Sequence, residues 1–480
     1  MIILPALGLL LLSLVGASNA ALPAAAGLRA SATPLRKSTP SRQTRPTATP
    51  IRVHTAMRTA TAGLATATVP PPATTTSLPT PTSRLLAAPT PAFTSTPVLP
   101  ATPPLTPTAA AIVSPTIWFH FPAAAQAHWV LISDPADPWH LTIRHRDPPA
   151  VGTAIRQVVI LFAKESPVYE PATATILDIF ESKKVEAVFT LINFRSDPTR
   201  GRQALAAAAA LHAELIFAMG SDTTDFTTST YKGGPIPIVS VLSKDPVLLG
   251  QMPDYEHGSG TNLAFTSVNV PIEIQMAYLL ELRPQLRNIL VLYDKDNKSA
   301  IQTQVKPLKV AAAAQKIQVF DVVANSPASA HADIESQLPA QITAARQSDP
   351  DESKTICWIT GSTATIQQIA TINHLAEHVP VLSVFPELVQ AGDDSAVLSI
   401  GVSFDSAAHL AAIYGARILL GEVRAGDLKV GTISPPDIAI NFRKARAIGL
   451  KIPFRFFESA SFIYDYAGKP VRVAGQSVGP

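Results

Sequence analysis

The chain has 480 residues, with 44 prolines, one cysteine and 15% charged residues; this is length for two or three domains, but the proline load does not suit one globular unit. No Asp or Glu precedes Asp134, whereas Arg29, Arg36, Lys37, Arg42, Arg45, Arg52, Arg58 and Arg84 do; taking these eight from the 38 basic residues leaves 30 against 35 acidic, about −5, behind a formal net charge of +3. The folded part therefore lacks the clustered Lys and Arg of a nucleic-acid surface, and the single thiol, Cys357, excludes an internal disulfide or a multi-cysteine metal site.

Residues 1–20 read as a secretory signal. An apolar run over 2–15 leads to Ala17-Ser18-Asn19-Ala20, with small residues at both positions that matter for a cut after Ala20. The run is shorter than the roughly 20 residues of a spanning helix. No cysteine follows the cut to carry a lipid, so an exported, soluble product, periplasmic or extracellular, is expected. Residues 21–116 are mostly Ala, Thr, Pro and Ser. Proline removes backbone donors and few large apolar side chains offset ordering entropy, which predicts a disordered, partly polyproline-II spacer. The segment 117–152 contains Trp118, Trp129 and Trp139, three of the four tryptophans; it is expected to pack on the first lobe or to form a small hairpin.

From Arg156 the pattern is regular. The apolar run at 156–163 predicts a strand buried on both faces. A helix is expected at 172–182, a strand at 185–191, a helix at 203–213, then strands at 214–219, 235–241 and 261–268. The alternation restarts with a helix at 271–282, a strand at 287–293, a helix at 300–315, a strand at 318–323 and a helix at 333–346. Strands at 354–360, 380–385 and 397–402 follow, with helices at 363–378 and 406–420. Short apolar strands alternating with helices mean parallel βαβ units. The expected fold class is therefore α/β, with two Rossmann-like lobes of parallel sheet flanked by helices: lobe I over 153–268, lobe II over 269–402, and 403–480 as a crossover and C-terminal segment completing both. In such sheets ligands bind beyond the carboxyl ends of the strands, and two facing lobes make a cleft.

Five separated blocks carry a family resemblance. Ile160-Leu161 with Glu165-Ser166-Pro167, and Ala218-Met219-Gly220-Ser221, are similar to the first strand–loop and the Gly-Thr/Ser strand end of the ABC transporter substrate-binding family that includes tryptophan- and tyrosine-type binders. Ile236-Pro237-Ile238-Val239 with Lys244-Asp245-Pro246-Val247 resembles its Pro-Ile-Val and Thr-Asp-Pro-Val block. Tyr278-Leu279-Leu280-Glu281-Leu282 with Asn288-Ile289-Leu290-Val291-Leu292-Tyr293 resembles its interlobe helix and next strand. Ile440-Asn441-Phe442 through Gly449-Leu450-Lys451-Ile452-Pro453 resembles its C-terminal signature. The Gly258-Ser259-Gly260-Thr261 stretch keeps the glycines of the family's usual turn but not their order. The resemblance, spanning roughly 156–460, implies the type I periplasmic-binding fold, capture of a small solute, and delivery to a membrane permease. A monomer with no cofactor and no nucleic-acid partner is expected.

Ligand-contact candidates sit at strand ends, where helix N-termini offer unpaired N–H groups to an anion. Gly220, Ser221 and Asp222 follow one strand, Gly361 and Ser362 its counterpart, and Glu165 and Ser166 the first strand. Each Gly-Ser pair serves equally as a helix cap. Asp245 before Pro246 fits either the cleft or a turn. Tyr293 and Asn297, Phe385, and Asp405 end later strands. For an amino-acid-like solute, Ser221 and Ser362 would take the carboxylate and Glu165 or Asp405 the amine. Crossings near 268–271 and 403–405, with 430–440, are the expected hinges.

Catalytic signatures are thin. His374-Leu375-Ala376-Glu377-His378 fits the H-x-x-E-H spacing of inverted zinc peptidases, but it falls at a helix end. No Walker-type loop, no G-x-S-x-G elbow and no G-x-G-x-x-G after a strand occurs. A binding protein is expected rather than an enzyme; a sensor presenting its closed form to a signalling receptor has the same fold and is the alternative.

Overall fold

A computed structural model of the chain describes residues 118–147 and 152–478; the expected signal at 1–20 and the spacer at 21–116 lie outside the described residues. The segment with three tryptophans forms a hairpin, β1 (Trp129–Ser133) and β2 (His140–His145). Then follow β3 (Arg156–Phe162), α1 (Tyr169–Ser182), β4 (Ala187–Asn193), α2 (Pro198–Ala210), β5 (Leu215–Met219), α3 (Gly220–Thr230), β6 (Ile238–Val241) and the short β7 (Leu263–Ala264). One sheet orders them β1-β2-β4-β3-β5-β6-β7. β4, β3, β5, β6 and β7 run parallel, and the hairpin adds antiparallel to the edge of β4 with His140 opposite Ile192. Hydrophobicity dictates this: Val158–Phe162 and Leu215–Met219 are buried throughout, as strands covered on both faces must be. Trp118 and Phe119 stack edge-on against Phe162, fixing the hairpin to this lobe.

The second lobe comprises α4 (Ile272–Leu282), β8 (Asn288–Asp294), α5 (Lys298–Ala300), a π-turn at Ile301–Val305, α6 (Lys306–Ala314), β9 (Gln318–Ala324), α7 (Ala330–Arg346), β10 (Thr355–Ile359), α8 (Thr363–Ile366), α9 (Ile369–Ala376), β11 (Val381–Ser383) and β12 (Leu398–Gly401). After α10 (Phe404–Leu419) it resumes with β13 (Asp437–Asn441), α11 (Phe442–Ala447), α12 (Phe454–Ser459), β14 (Ala460–Tyr464), β15 (Pro470–Val473) and β16 (Gln476–Ser477). The sheet order is β16-β15-β14-β13-β12-β11-β10-β8-β9. Strands β9, β8, β10, β11 and β12 are parallel, and β13 pairs antiparallel with β12. Leu290, Leu292 and Ile359 meet Ile334, Leu338 and Ile372 on one face, and Ile289 and Val291 join Met276, Leu279 and Leu308 on the other.

The chain passes between the sheets three times, after β7, after β12 and before β13. The middle passage has a consequence for packing. Helix α10 is joined to lobe II at both ends, yet it lies beside α1 and over β5 and β6 of lobe I, its buried stripe Ala407, Ala408, Ala411, Ala412 and Ala416 allowing close approach. On its way back, Gly431 bridges to Thr266 and extends the edge of the first sheet. The two-lobed α/β architecture expected from the sequence is present. Three local expectations differ. The region 261–268 forms only the two-residue strand β7, the helix expected over 363–378 is broken into α8 and α9, and α3 was not anticipated because Gly220–Thr230 carries one large apolar residue, Phe226.

Candidate functional site

The loops after β3, β5 and β6 face those after β8, β10, β11 and β12 across one gap with a cavity volume of about 90 Å³. Lobe I contributes Lys164, Ser166, Tyr169, Gly220, Asp222 and Lys244; lobe II contributes Asn297, Ser299, Gly361, Thr363 and Phe385, with Phe404 from the start of α10. Every one of them follows the carboxyl end of a parallel strand, where topology opens a crevice.

On the lobe I side, Gly220 opens α3 with φ +80°, and a Cβ there would fall 2.1 Å from the Tyr169 hydroxyl; only glycine combines that backbone with that contact. Burial, and then the Asp222 carboxylate, push the Tyr169 phenol well above its ordinary range. The Ser221 hydroxyl accepts from the Lys244 backbone N–H at 3.0 Å, linking the start of α3 to the loop after β6. Lys164 and Asp222 form an ion pair of 2.7 Å, each side chain about half exposed at the rim.

Lys244 is different. It is 5% exposed, and its Nζ lies 5.0 Å from the ring centroid of Phe385 in the opposite lobe. A Cβ on Gly361 would stand 2.2 Å from that Nζ and 2.9 Å from the Phe385 ring, so the glycine of lobe II makes room for the lysine of lobe I. Phe385 in turn packs on Phe404 with centroids 4.5 Å apart. Among the described residues the ammonium has no hydrogen-bond acceptor and no carboxylate within ion-pair distance. Burial lowers its pKa to about 8; Asp222 opposes that shift and Lys164 adds to it.

Of the sequence candidates, Ser166, Gly220, Ser221, Asp222, Asn297, Gly361 and Phe385 line the gap. Asn297 also caps α5, its Oδ1 accepting from Ala300 N–H at 2.9 Å. Five do not line it. Glu165 is an exposed loop residue, one position away from the inward-facing Ser166. Asp405 is exposed on α10 and accepts from the Thr175 hydroxyl at 2.7 Å, because α10 turns that face toward α1. Asp245 organises a turn, accepting from Val247 N–H at 2.9 Å and from the Tyr255 hydroxyl at 2.7 Å. Tyr293 sits among Asp321 and Lys309 of lobe II. Ser362 is fully buried, its backbone N–H donating to Thr360 O at 2.9 Å. The sequence reading missed Lys164, Tyr169 and Lys244 as site residues; a lysine in the place of the threonine before Asp-Pro was the available signal.

The zinc-peptidase spacing is not realised. Helix α9 ends at Ala376 and Glu377 takes φ +50°, so His374 and His378 do not share a helical face; Glu377 lies 4.0 Å from an Arg346 nitrogen instead. Among the described residues, one His/Glu trio has ligand atoms close enough for a metal: His128, His145 and Glu181, all within 4.8 Å. It is solvent-facing, away from the gap, and already joined by a 2.8 Å contact between His128 and Glu181.

The fold has solved counterparts. A conserved domain protein from Vibrio cholerae superposes with a TM-score of 0.52 at 21% identity, over 64% of this chain and 99% of that one. The ABC domain from Streptococcus pneumonia, solved in complex with L-Trp, gives 0.52 at 16% identity over 65% and 100%. No curated protein matches the chain in sequence. The profile described as ABC transporter substrate binding protein matches residues 179–462, from within α1 to within β14. With more than half its length matched and two lobes closing on one gap, this chain belongs to the ABC transporter substrate-binding protein family.

Proposed function

We propose that the chain is the solute-binding component of an ABC-type importer, exported from the cytoplasm, that captures a small organic molecule between its lobes and hands it to a membrane permease. The observation that carries this reading is the shared gap: strand-end residues of both lobes line it, and Lys244 of one lobe rests on Phe385 of the other. The 90 Å³ available is well below the roughly 300–1,000 Å³ of typical ligand sites, so an organic solute enters only when the lobes part. The three chain passages at 268–271, 402–404 and 430–437 are where such a motion would be absorbed. A solute that binds the closed form preferentially holds the lobes together, and a permease that reads the closed form is thereby informed of loading. The described residues include no helix long and apolar enough to cross a membrane.

Small-angle scattering tests the motion. The ligand-stripped protein should show a larger radius of gyration than protein saturated with any compound that raises its melting temperature. Identical radii for the stripped and saturated protein would remove the capture mechanism.

A further inference from the structure

The charged groups lining the gap are Lys164, Asp222 and Lys244. The first two neutralise each other at the rim, which leaves one net positive charge, on the most deeply placed group. An unpaired buried ammonium is costly and is retained where something pairs with it. Around it the lining combines the apolar Leu242, Ile366, Phe385 and Phe404 with neutral hydroxyl and amide side chains such as Ser166, Ser299 and Gln367. The acids that could have received a ligand ammonium, Glu165 and Asp405, are outside the gap, and Asp222 is engaged by Lys164.

We propose that the cleft selects a small organic monocarboxylate without an amino group, its carboxylate paired with Lys244 and its apolar body against Phe385 and Phe404. This rests on the solute-binding reading above and narrows it to a ligand class. The two requirements come from different residues: a single cation with no second unpaired positive group suits one carboxylate better than a phosphate dianion, and the facing aromatic rings suit a hydrocarbon body. Gly361 is the complementary device on the opposite lobe, since any side chain there would occupy the ground between the ammonium and Phe385.

The test uses the full chain, stripped of bound solute by unfolding and refolding, in calorimetry against phenylacetate and 3-methylbutanoate, their neutral amides, L-phenylalanine and inorganic phosphate. The carboxylates should bind at least about 30-fold more tightly than the amides and than phosphate, the size expected for losing one partner of a buried charge pair. Lys244→Met should cost the carboxylates about the same factor while leaving amide binding within about threefold. Tightest binding by L-phenylalanine, by an amide or by phosphate overturns the ligand class and leaves solute capture standing, as does full carboxylate affinity in Lys244→Met. If none of the six compounds binds and native mass spectrometry of the unstripped protein finds no retained small molecule, solute capture falls with it. If none binds but a retained solute lacks a carboxylate, the ligand class alone falls.

Discussion

Lys244→Met should make the unliganded protein more stable. Methionine keeps much of the side-chain length and volume while removing a charge from a position 5% exposed. Depressing the ammonium from 10.5 to about 8 corresponds to roughly 3 kcal/mol against the charged form. The contact with the Phe385 ring offsets about 1 kcal/mol of that, so the net gain at pH 7 is about 2 kcal/mol. The sign follows from linkage. The folded lysine releases its proton at a lower pH than the unfolded one, so the penalty is carried in full below pH 8 and fades as pH rises toward 10.5. Urea unfolding followed by tryptophan fluorescence at pH 7 and pH 10 reads both numbers. A variant less stable than the parent at pH 7, or an advantage that does not shrink by pH 10, refutes the picture of a desolvated, unpartnered ammonium.

Two further outcomes are expected. Burial raises Glu387 to about 7, with Asp437 and Asp405 adding to the shift and the Phe404 N–H opposing it; the stability this proton confers is present in full below the unfolded value near 4.5 and is lost, by about 3 kcal/mol, as pH rises through 7. Glu387→Gln should flatten that fall when urea midpoints at pH 5 and 7.5 are compared, and an unchanged slope counts against it. Gly361→Ala would place a methyl 2.2 Å from the Lys244 Nζ and 2.9 Å from the Phe385 ring and should weaken phenylacetate binding about tenfold or more while costing about 1–3 kcal/mol of folding stability through overpacking; binding equal to the parent would show that the lysine is free to move aside.

Much of the fold was legible because its central strands are buried on both faces and therefore read as unbroken apolar runs, as in Val158–Phe162 and, within β10, from Ile356 to Ile359. Helix α3 was not legible. Its face is threonine, and Thr224 and Thr227 turn their hydroxyls onto backbone oxygens of the preceding turn at 2.9 and 3.0 Å, which lets polar side chains be buried where apolar periodicity would normally mark a helix. A small hairpin at Trp129–His145 was among the expectations, but its addition to the edge of β4 was not, because that pairing is set by tertiary contact, not by pattern. At the site, the topological rule located the strand ends correctly but not the direction of single side chains. Ser166 faces inward and Glu165 outward, and Asp405 is carried away by the helix that crosses to the other lobe. Lys244 stood within a block already noted, yet a lysine in sequence gives no sign of being desolvated; that emerges only when Phe385 and Gly361 arrive from 117 or more positions further along the chain.

Because α10 is encoded after most of lobe II but covers the sheet of lobe I, neither half of this molecule is a contiguous stretch of gene. A ribosome that has released everything through β7 has made a sheet in which Phe217 and Leu215 still lack the helix that meets them at Gly415, and it must complete some 150 further residues before that helix exists. The first lobe is therefore completed only by chain made after most of the second, and a fragment ending at β7 would leave the α10-facing side of β5 and β6 exposed.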